Sequence, residues 1–507
     1  MATLDDVPTS LLNAPDGSGH PVQSRALSSY HPLRSYDLPK VRSYKQQYND
    51  MYFQRLSKMK PVVDAIAQAA WNGKVIAGEK VMPVERVLDV RQGELCWITG
   101  TVYMDMALKP NILEDVSQDR WIGTAPQVEK YFSEDGSDQI MLEDESGRVR
   151  IVGKVLESVL LVTGCIISIL GTETADGEFE VIDIKFPELP SQPSRWERSQ
   201  PPALDDDIEM SHGSPAPLRS SGSSKIAIVS GLSFSGSDAS YAMQLNLLQE
   251  FLLGEALDPE AQAQIASISR LVIAGNSIAA DEHKDTASDD KKPAGTKKYG
   301  YDSSTYNPVP SQLFDEFLAE MLPSIPVTLM PGSHDAANVA YPQQPIHTAM
   351  FPLARQYVAE PGTAEDEEGK SHGWLDIVTN PWEGEIDGWR VLGTGGQNVD
   401  DVVKYVGSED RLGIMEAMCR WRCIAPTAPD TLYSYPFQTD DPFVLKDCPH
   451  LLFAGSQPEF STRMITGSDG QKVRLVAIPV FSQTGEICLV DMATLDVTKI
   501  KINVQQS

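Results

Sequence analysis

The chain has 507 residues, of which 41% are hydrophobic and 22% charged, a composition that fits a globular protein of two or three domains. A formal net charge of -29 excludes charge-driven, sequence-independent binding to a phosphate backbone over the molecule as a whole, leaving only local basic patches for that role. No apolar run approaches the ~18 residues of a membrane span, and the first residues lack the basic and apolar regions of a secretory signal, so neither a membrane nor a secreted protein is expected.

Residues 1–42 are rich in Ser, Pro and polar residues without a sustained period and read as a disordered tail. From Ser43, the spacing of Tyr44, Tyr48, Met51, Tyr52 and Leu56 predicts a helix, continued by Val62, Ile66, Ala69 and Ala70 and stopped at Asn72-Gly73. Period-two segments follow at Leu95–Tyr103, Gln139–Leu142, Val149–Val152, Leu160–Leu170 and Glu178–Ile184. The Glu143–Arg148 stretch reads as a hairpin turn. Short, Gly-punctuated strands in this arrangement predict an antiparallel OB-fold barrel within residues 43–190. Its strands carry few aromatics and several acids (Glu143, Asp144, Glu145, Glu178, Glu180, Asp183), which favours a protein-binding barrel over one that reads single-stranded DNA.

Residues 191–224 are dense in Pro, Ser and acids and read as a linker. Residues 225–507 have another grammar. The strand Ile226–Val229 is followed by a helix carrying Met243, Leu247, Leu248, Phe251 and Leu252, with Ser237 or Asp238 as its cap and Gly254 as its stop. Strand Leu271–Ala274, a helix with Leu313, Phe314, Phe317, Leu318 and Met321, and strand Val327–Met330 come next. This alternation predicts an α/β domain. The later strands Val391-Leu392, Leu451–Ala454, Val473–Ile478 and Ile487–Val490 have fewer helices between them and extend it to a sandwich of two sheets. Polar insertions at 281–306 and 360–373 read as mobile surface loops.

Sites in open α/β sheets form beyond the carboxyl ends of the strands, so the loops there are decisive. The loop Met330-Pro331-Gly332-Ser333-His334-Asp335 resembles the Gly-Asn-His-Asp loop of metallophosphoesterases. In that family a two-metal centre draws acids and imidazoles from four such loops. Here the first loop has Gly231 and Ser233 where active members carry Asp and His. The second has Asn276 and Ala279 in place of two Asp residues. The third has Ser333 in place of Asn but keeps His334 and Asp335. The fourth has Ser456 and Pro458 in place of two His residues. Two ligands cannot hold two divalent cations, so an active metal centre is disfavoured.

Other local signals have plainer readings. The Gly231-x-x-x-x-Gly236 stretch mimics a phosphate-binding loop but has Ser237 where the lysine belongs, so it reads as a tight turn. Adjacent Ser333, His334 and Asp335 point apart and make no triad. The six cysteines (Cys96, Cys165, Cys419, Cys423, Cys448, Cys488) contain no C-x-x-C pair, which fits a reducing cytosolic or nuclear setting. Cys419 and Cys423, four apart on a helical stretch, read as buried thiols rather than metal ligands. Lys291-Lys292 and Lys297-Lys298 read as a solvated loop, and Gly393-x-Gly-Gly with Asn398 as a sharp turn.

Motifs in a fixed order carry a wider resemblance: Ser43–Tyr48, Val229–Leu232, Ala274–Asn276, Met330–Gly332, Pro342–His347, Asn380-Pro381, Ile386–Gly388, Gly393–Val399 and Ala425–Thr431. Over residues 43 to 500 the chain resembles the B-subunits of replicative DNA polymerases, most closely those of polymerase delta. The resemblance implies a multi-domain α+β chain: an antiparallel OB-fold barrel plus a catalytically inactive, calcineurin-like two-sheet sandwich. It implies an accessory subunit in the nucleus, serving DNA replication and repair and touching DNA only indirectly. The implied partners are the C-terminal domain of the catalytic subunit and a third small subunit. The implied metal cluster lies on the catalytic subunit, with no cofactor in this chain. The retained His334-Asp335 pair exceeds what that family leads one to expect. The competing readings are a residual metal-dependent phosphoesterase or nuclease, a B-subunit of polymerase alpha or epsilon, and an OB-fold reader of single-stranded DNA.

Overall fold

A computed structural model describes residues 23–43, 49–110, 129–198, 224–238, 240–255, 259–279, 307–358 and 373–504. The expected insertion 281–306 and nearly all of 360–373 lie outside the described residues, as do most of the expected linker and residues 1–22 of the expected tail.

The N-terminal strand β1 (Tyr30–Pro32) precedes a long helix α1 (Asn49–Trp71). A small hairpin, β2 (Val75–Ile76) and β3 (Glu79–Lys80), and the short β4 (Met82–Pro83) lead into the barrel. The barrel strands are β5 (Cys96–Asp105), β6 (Gln139–Glu143), β7 (Arg148–Val152), β8 (Ile166–Glu173) and β9 (Glu178–Lys185). They run in the order β4-β5-β6-β7-β9-β8, and β8 pairs back on β5, which closes the OB-fold. The barrel is not wholly antiparallel: β7 and β9 pair in parallel, as do β4 and β5. The apolar run from Leu160 forms a strand only from Ile166 onward. Before it the chain turns through Gly164 at φ +93, a conformation that L residues rarely adopt. In the acidic hairpin, Asp144 Oδ1 accepts the N–H groups of Ser146 and Gly147, and its Oδ2 accepts Val87 N–H, tying the turn to the preceding loop.

The second domain comprises β10 (Lys225–Val229), α2 (Ala242–Leu253), α3 (Pro259–Ala266), β11 (Ile268–Ala274), α4 (Val309–Met321), β12 (Val327–Met330) and β13 (Leu375–Ile377). It continues with β14 (Trp382–Ile386), β15 (Trp389–Thr394), α5 (Gln397–Val406), α6 (Arg411–Arg420), β16 (Leu451–Gln457), β17 (Ser461–Thr466) and β18 (Lys472–Pro479). A single-turn α7 (Phe481–Thr484) precedes β19 (Glu486–Asp491) and β20 (Val497–Lys501). One sheet has the order β13-β12-β11-β10-β19-β20 and the other β1-β14-β15-β16-β18-β17. Alternate residues of each strand divide between two cores. Ile226, Ile228, Val272 and Met330 of the first sheet meet Val391, Leu451, Phe453 and Ile478 of the second. The opposite face of the first sheet packs Val229, Ile273 and Leu329 against Leu248, Phe314 and Leu318 of α2 and α4.

Two boundaries differ from the sequence reading. Residues 23–42, expected within a disordered tail, run across both sheets of the sandwich. There, β1 pairs with β14, Tyr30 donates to Asp376, and Arg25 donates to the carbonyls of Leu252, Ile265 and Ile268. Residues 191–198, expected as linker, are bonded to the second domain: Gln192 donates to Lys472 O and Arg195 to the carbonyls of Asp387 and Met492. Helix α2 also begins later than expected, without a side-chain cap from Ser237 or Asp238, and ends as expected at Gly254 in the left-handed conformation.

The barrel and the sandwich share a core. Barrel residues Ile98, Leu142, Ile169 and Phe179 belong to the same apolar cluster as Val399, Met415, Met418, Leu452 and Leu475 from the outer face of the second sheet and its helices. Arg55 of α1 is the polar anchor of this junction. Its side chain is 1% exposed, its Nε donates to Asp441 Oδ2 at 2.8 Å, and its Nη groups donate to the carbonyls of Pro426 (2.7 Å) and Ala428 (3.0 Å). A Cβ at Gly164 would lie 2.0 Å from the Pro426 carbonyl, so the barrel's close approach requires glycine there. Removing one partner of a buried, fully bonded pair typically destabilises by about 3–5 kcal/mol. Arg55→Ala is expected to lower the free energy of unfolding by that amount in a denaturant titration. A loss below about 1 kcal/mol, the value of a surface pair, would contradict this role.

Candidate functional site

The loops after β10, β11, β12 and β16 converge at the carboxyl ends of the parallel strands. The first is zipped to the second: Gly231 N–H bonds Gly275 O, Ser233 N–H bonds Asn276 O, and Phe234 N–H bonds Ser277 O. The second and third touch so closely that a Cβ on Gly332 would stand 2.2 Å from Asn276 N. The fourth meets the end of β11, where a Cβ on Gly455 would stand 2.2 Å from Ala274 O.

Asn276 is the centre of this junction. Its Nδ2 donates to Ser456 Oγ at 2.8 Å, while its Oδ1 accepts Ser333 Oγ at 3.2 Å and His334 N–H at 3.1 Å. Ser456 N–H in turn bonds Ser230 Oγ at 2.8 Å. An amide can donate to one loop and accept from another; a carboxylate at this position has no donor. Asp335 is spent on the backbone as well, its Oδ1 accepting Ile278 N–H at 2.9 Å and its Oδ2 Gly332 N–H at 2.8 Å. Three non-glycine residues in the left-handed region stand in these loops: Ser233 (φ 53), Asn276 (φ 55) and Ser456 (φ 54). Such residues cost about 1–3 kcal/mol each and persist where their surroundings over-determine them.

Of the residues singled out from the sequence, Gly231, Ser233, Asn276, Ser333, His334, Asp335 and Ser456 stand in this junction. Ala279 sits at its margin, where its N–H bonds Phe234 O, and Pro458 is exposed. The His334 side chain is exposed, and the hydrogen bond its residue gives to the junction comes from the backbone N–H. The Asp335 carboxylate is thus bonded within the junction, whereas the imidazole stands at its surface. In the Gly231–Gly236 stretch the N–H groups of Gly231, Ser233 and Phe234 go to the next loop, so it runs alongside that loop in place of closing the expected tight turn on itself.

A second layer of neutral groups, which the sequence reading missed as a cluster, supports the loops. Asn380 Nδ2 donates to Gln343 Oε1 and Gln397 Oε1, and its Oδ1 accepts Gly395 N–H. Gln343 Nε2 donates to Gly332 O, and Gln457 Nε2 to Gly455 O. The signal was present in Pro342-Gln343-Gln344, Asn380-Pro381 and Gly396-Gln397, but nothing in the spacing joins segments so far apart. Among the described residues no three His, Cys, Asp or Glu side chains stand where they could hold a metal ion. With Asn276 neutral and both Asp335 oxygens turned to backbone donors, the residues present do not fit a two-metal centre.

Residues 47–184 match the family described as the DNA polymerase delta subunit OB-fold domain, and residues 226–462 match the family of the B-subunit of DNA polymerases alpha and epsilon. The chain is 34% identical over 493 residues to the DNA polymerase delta small subunit of Saccharomyces cerevisiae, covering 92% of this chain and 91% of that protein. It is 33% identical over 486 residues to the DNA polymerase delta small subunit of Arabidopsis thaliana, covering 96% and 98% respectively. It is also 33% identical over 486 residues to DNA polymerase delta subunit 2 of Drosophila melanogaster, covering 95% and 99%.

Burial pushes the Asp335 carboxyl up to about 6, against the backbone hydrogen bonds that favour its anion. The folded state therefore binds more protons than the unfolded state above the ordinary carboxyl range, and stability falls as pH rises through about 4 to 6. Relative to Asp335→Asn, which does not titrate, the unfolding free energy of the unaltered chain is expected to fall by about 2 kcal/mol between about pH 4 and about pH 7. Denaturant titrations at several pH values measure it, and parallel curves for the two proteins would contradict the burial argument.

Proposed function

The chain belongs to the DNA polymerase delta small-subunit family, and we propose that it serves the polymerase delta holoenzyme as a non-catalytic accessory and scaffold subunit. In this reading it acts in the nucleus in DNA replication and repair. It binds the C-terminal domain of the catalytic subunit and a third small subunit, and meets DNA only through the complex. The sandwich is then a phosphoesterase-type fold whose loops keep their convergence and their left-handed residues but not their metal ligands.

The observation that carries this reading is Asn276. A neutral amide bridges three loops at the position where a metal-bridging carboxylate would be needed, and its donor already serves Ser456. The barrel surface supports a protein partner over a nucleic acid. The two arginines of β7 are each neutralised, Arg148 by Glu143 at 2.9 Å and Arg150 by Glu178 at 2.7 Å, so they form no open basic stripe for single-stranded DNA.

Gel filtration of the full chain mixed with the C-terminal domain of the catalytic subunit is expected to give a co-eluting one-to-one complex. In parallel, the full chain with manganese and a phosphodiester substrate is expected to hydrolyse nothing above the blank. Separate elution of the two proteins would overturn the scaffold reading. Manganese-dependent hydrolysis lost in His334→Ala would establish a residual phosphoesterase instead.

A further inference from the structure

On the helical side of the sandwich, two residues expected to face the core face outward. Met243 of α2 is 58% exposed and Leu313 of α4 is 40% exposed. Leu313 borders a groove of about 240 Å³ between the two helices. Its floor is apolar: the Phe234 ring lies 5.4 Å from Phe314 and 5.5 Å from Phe317, and Leu245 closes the α2 side. Along α4, Val309, Leu313, Glu316 and Glu320 stand at helical spacing on one ridge, apolar at its start and acidic at its end.

The rim is acidic. Asp238, Glu316 and Glu320 line the groove; among the described residues none of the three forms an ion pair with a Lys, Arg or His, and Glu320 accepts a hydrogen bond from Gln249 of α2 across one end of it. The hydrogen bond from Ser240 lowers the Asp238 pKa, so that carboxylate is charged at neutral pH. An apolar channel with uncompensated acids on its rim is complementary to an amphipathic helix that buries an aliphatic stripe and carries Lys or Arg beside it.

We propose that the α2–α4 groove is a docking site for a basic amphipathic helix of a partner protein. The partner lays aliphatic residues at i, i+3, i+4 and i+7 over Phe234, Leu245, Leu313 and Phe317. Its cations meet Asp238, Glu316 and Glu320. The inference is independent of the scaffold reading: apart from Phe234 and Asp238, which stand in the loop after β10, the groove lies on α2 and α4, and it uses neither the barrel nor the Asn276 bridge.

The test is fluorescence anisotropy of a labelled synthetic helix with Leu on one face and Lys on the other, titrated with the full chain. The same Leu frame carrying Glu is the first control. The Lys peptide is expected to bind and the Glu peptide not. Leu313→Asp and Glu316→Lys should each weaken binding at least tenfold, while Glu134→Lys, an equal charge change on the barrel, should leave it within twofold. Circular dichroism checks that each variant is folded, and Glu316→Gln gives a milder second reading at the same place. Equal weakening by Glu316→Lys and Glu134→Lys would reduce the effect to net charge and overturn the proposal. Absence of binding to the full chain would overturn it too, including the case in which deletion of 281–306 then allows binding, since the chain would be covering its own groove.

Discussion

A guanidinium with no route to water decides how the two domains stand. Arg55 reaches from the N-terminal helix into the 426–441 segment of the sandwich, and its Nε and both Nη groups find acceptors there. Burial alone would lower its pKa; the Asp441 carboxylate overrides that and holds the charge. Such an anchor fixes orientation more than it adds stability, because an apolar replacement of similar volume can stabilise as well. Around it, Lys109 pairs with Asp430 at 2.8 Å and Tyr131 donates to Asp401 at 2.8 Å, so polar contacts from the barrel side align with one continuous apolar cluster. A body built this way presents faces of both domains in fixed relation.

The loop junction follows the same logic on a smaller scale. Four loops that a metalloenzyme would hold together with cations are held here by an amide, three serine hydroxyls and one carboxylate facing backbone N–H groups. Positive charge at the centre is replaced by paired donors and acceptors, which need no ligand to be satisfied. The left-handed residues Ser233, Asn276 and Ser456 are held in that conformation by these bonds and by the close approach of the loops. Neutral groups also remove the repulsion that several close carboxylates would suffer without a cation.

Much of the fold was legible because the parallel strands are buried on both faces. Ile226–Val229 reads as a continuous apolar run and Val473–Ile478 as one broken only by Arg474, and each ended within a residue or two of its observed strand. Loop convergence was legible for the same reason, since parallel strands bring their carboxyl ends to one side. What escaped was set by distant partners. Three residues, Tyr30–Pro32, form a strand only because β14 offers an edge far along the chain. The β14–β15 hairpin was visible only in part, as the Val391-Leu392 strand and an Ile386-Asp387-Gly388 motif. The amides of Gln343, Asn380 and Gln397 carry no period at all. Met243 and Leu313 followed a helical hydrophobic pattern yet face outward, because periodicity places a residue on a stripe but does not set the width of the surface that covers it.

A loop junction held by hydrogen bonds and not by a metal ion, in a chain whose two domains share one core, makes the molecule a single cooperative body. Native-state hydrogen exchange on the full chain, with and without millimolar manganese, tests it most directly. The amides of Ile278, Gly332, His334 and Ser456 are predicted to exchange only through the global unfolding that also releases the barrel strand β8, with protection unchanged by manganese. Protection at these four amides that rises with manganese, or a barrel that opens while they stay closed, would contradict the account.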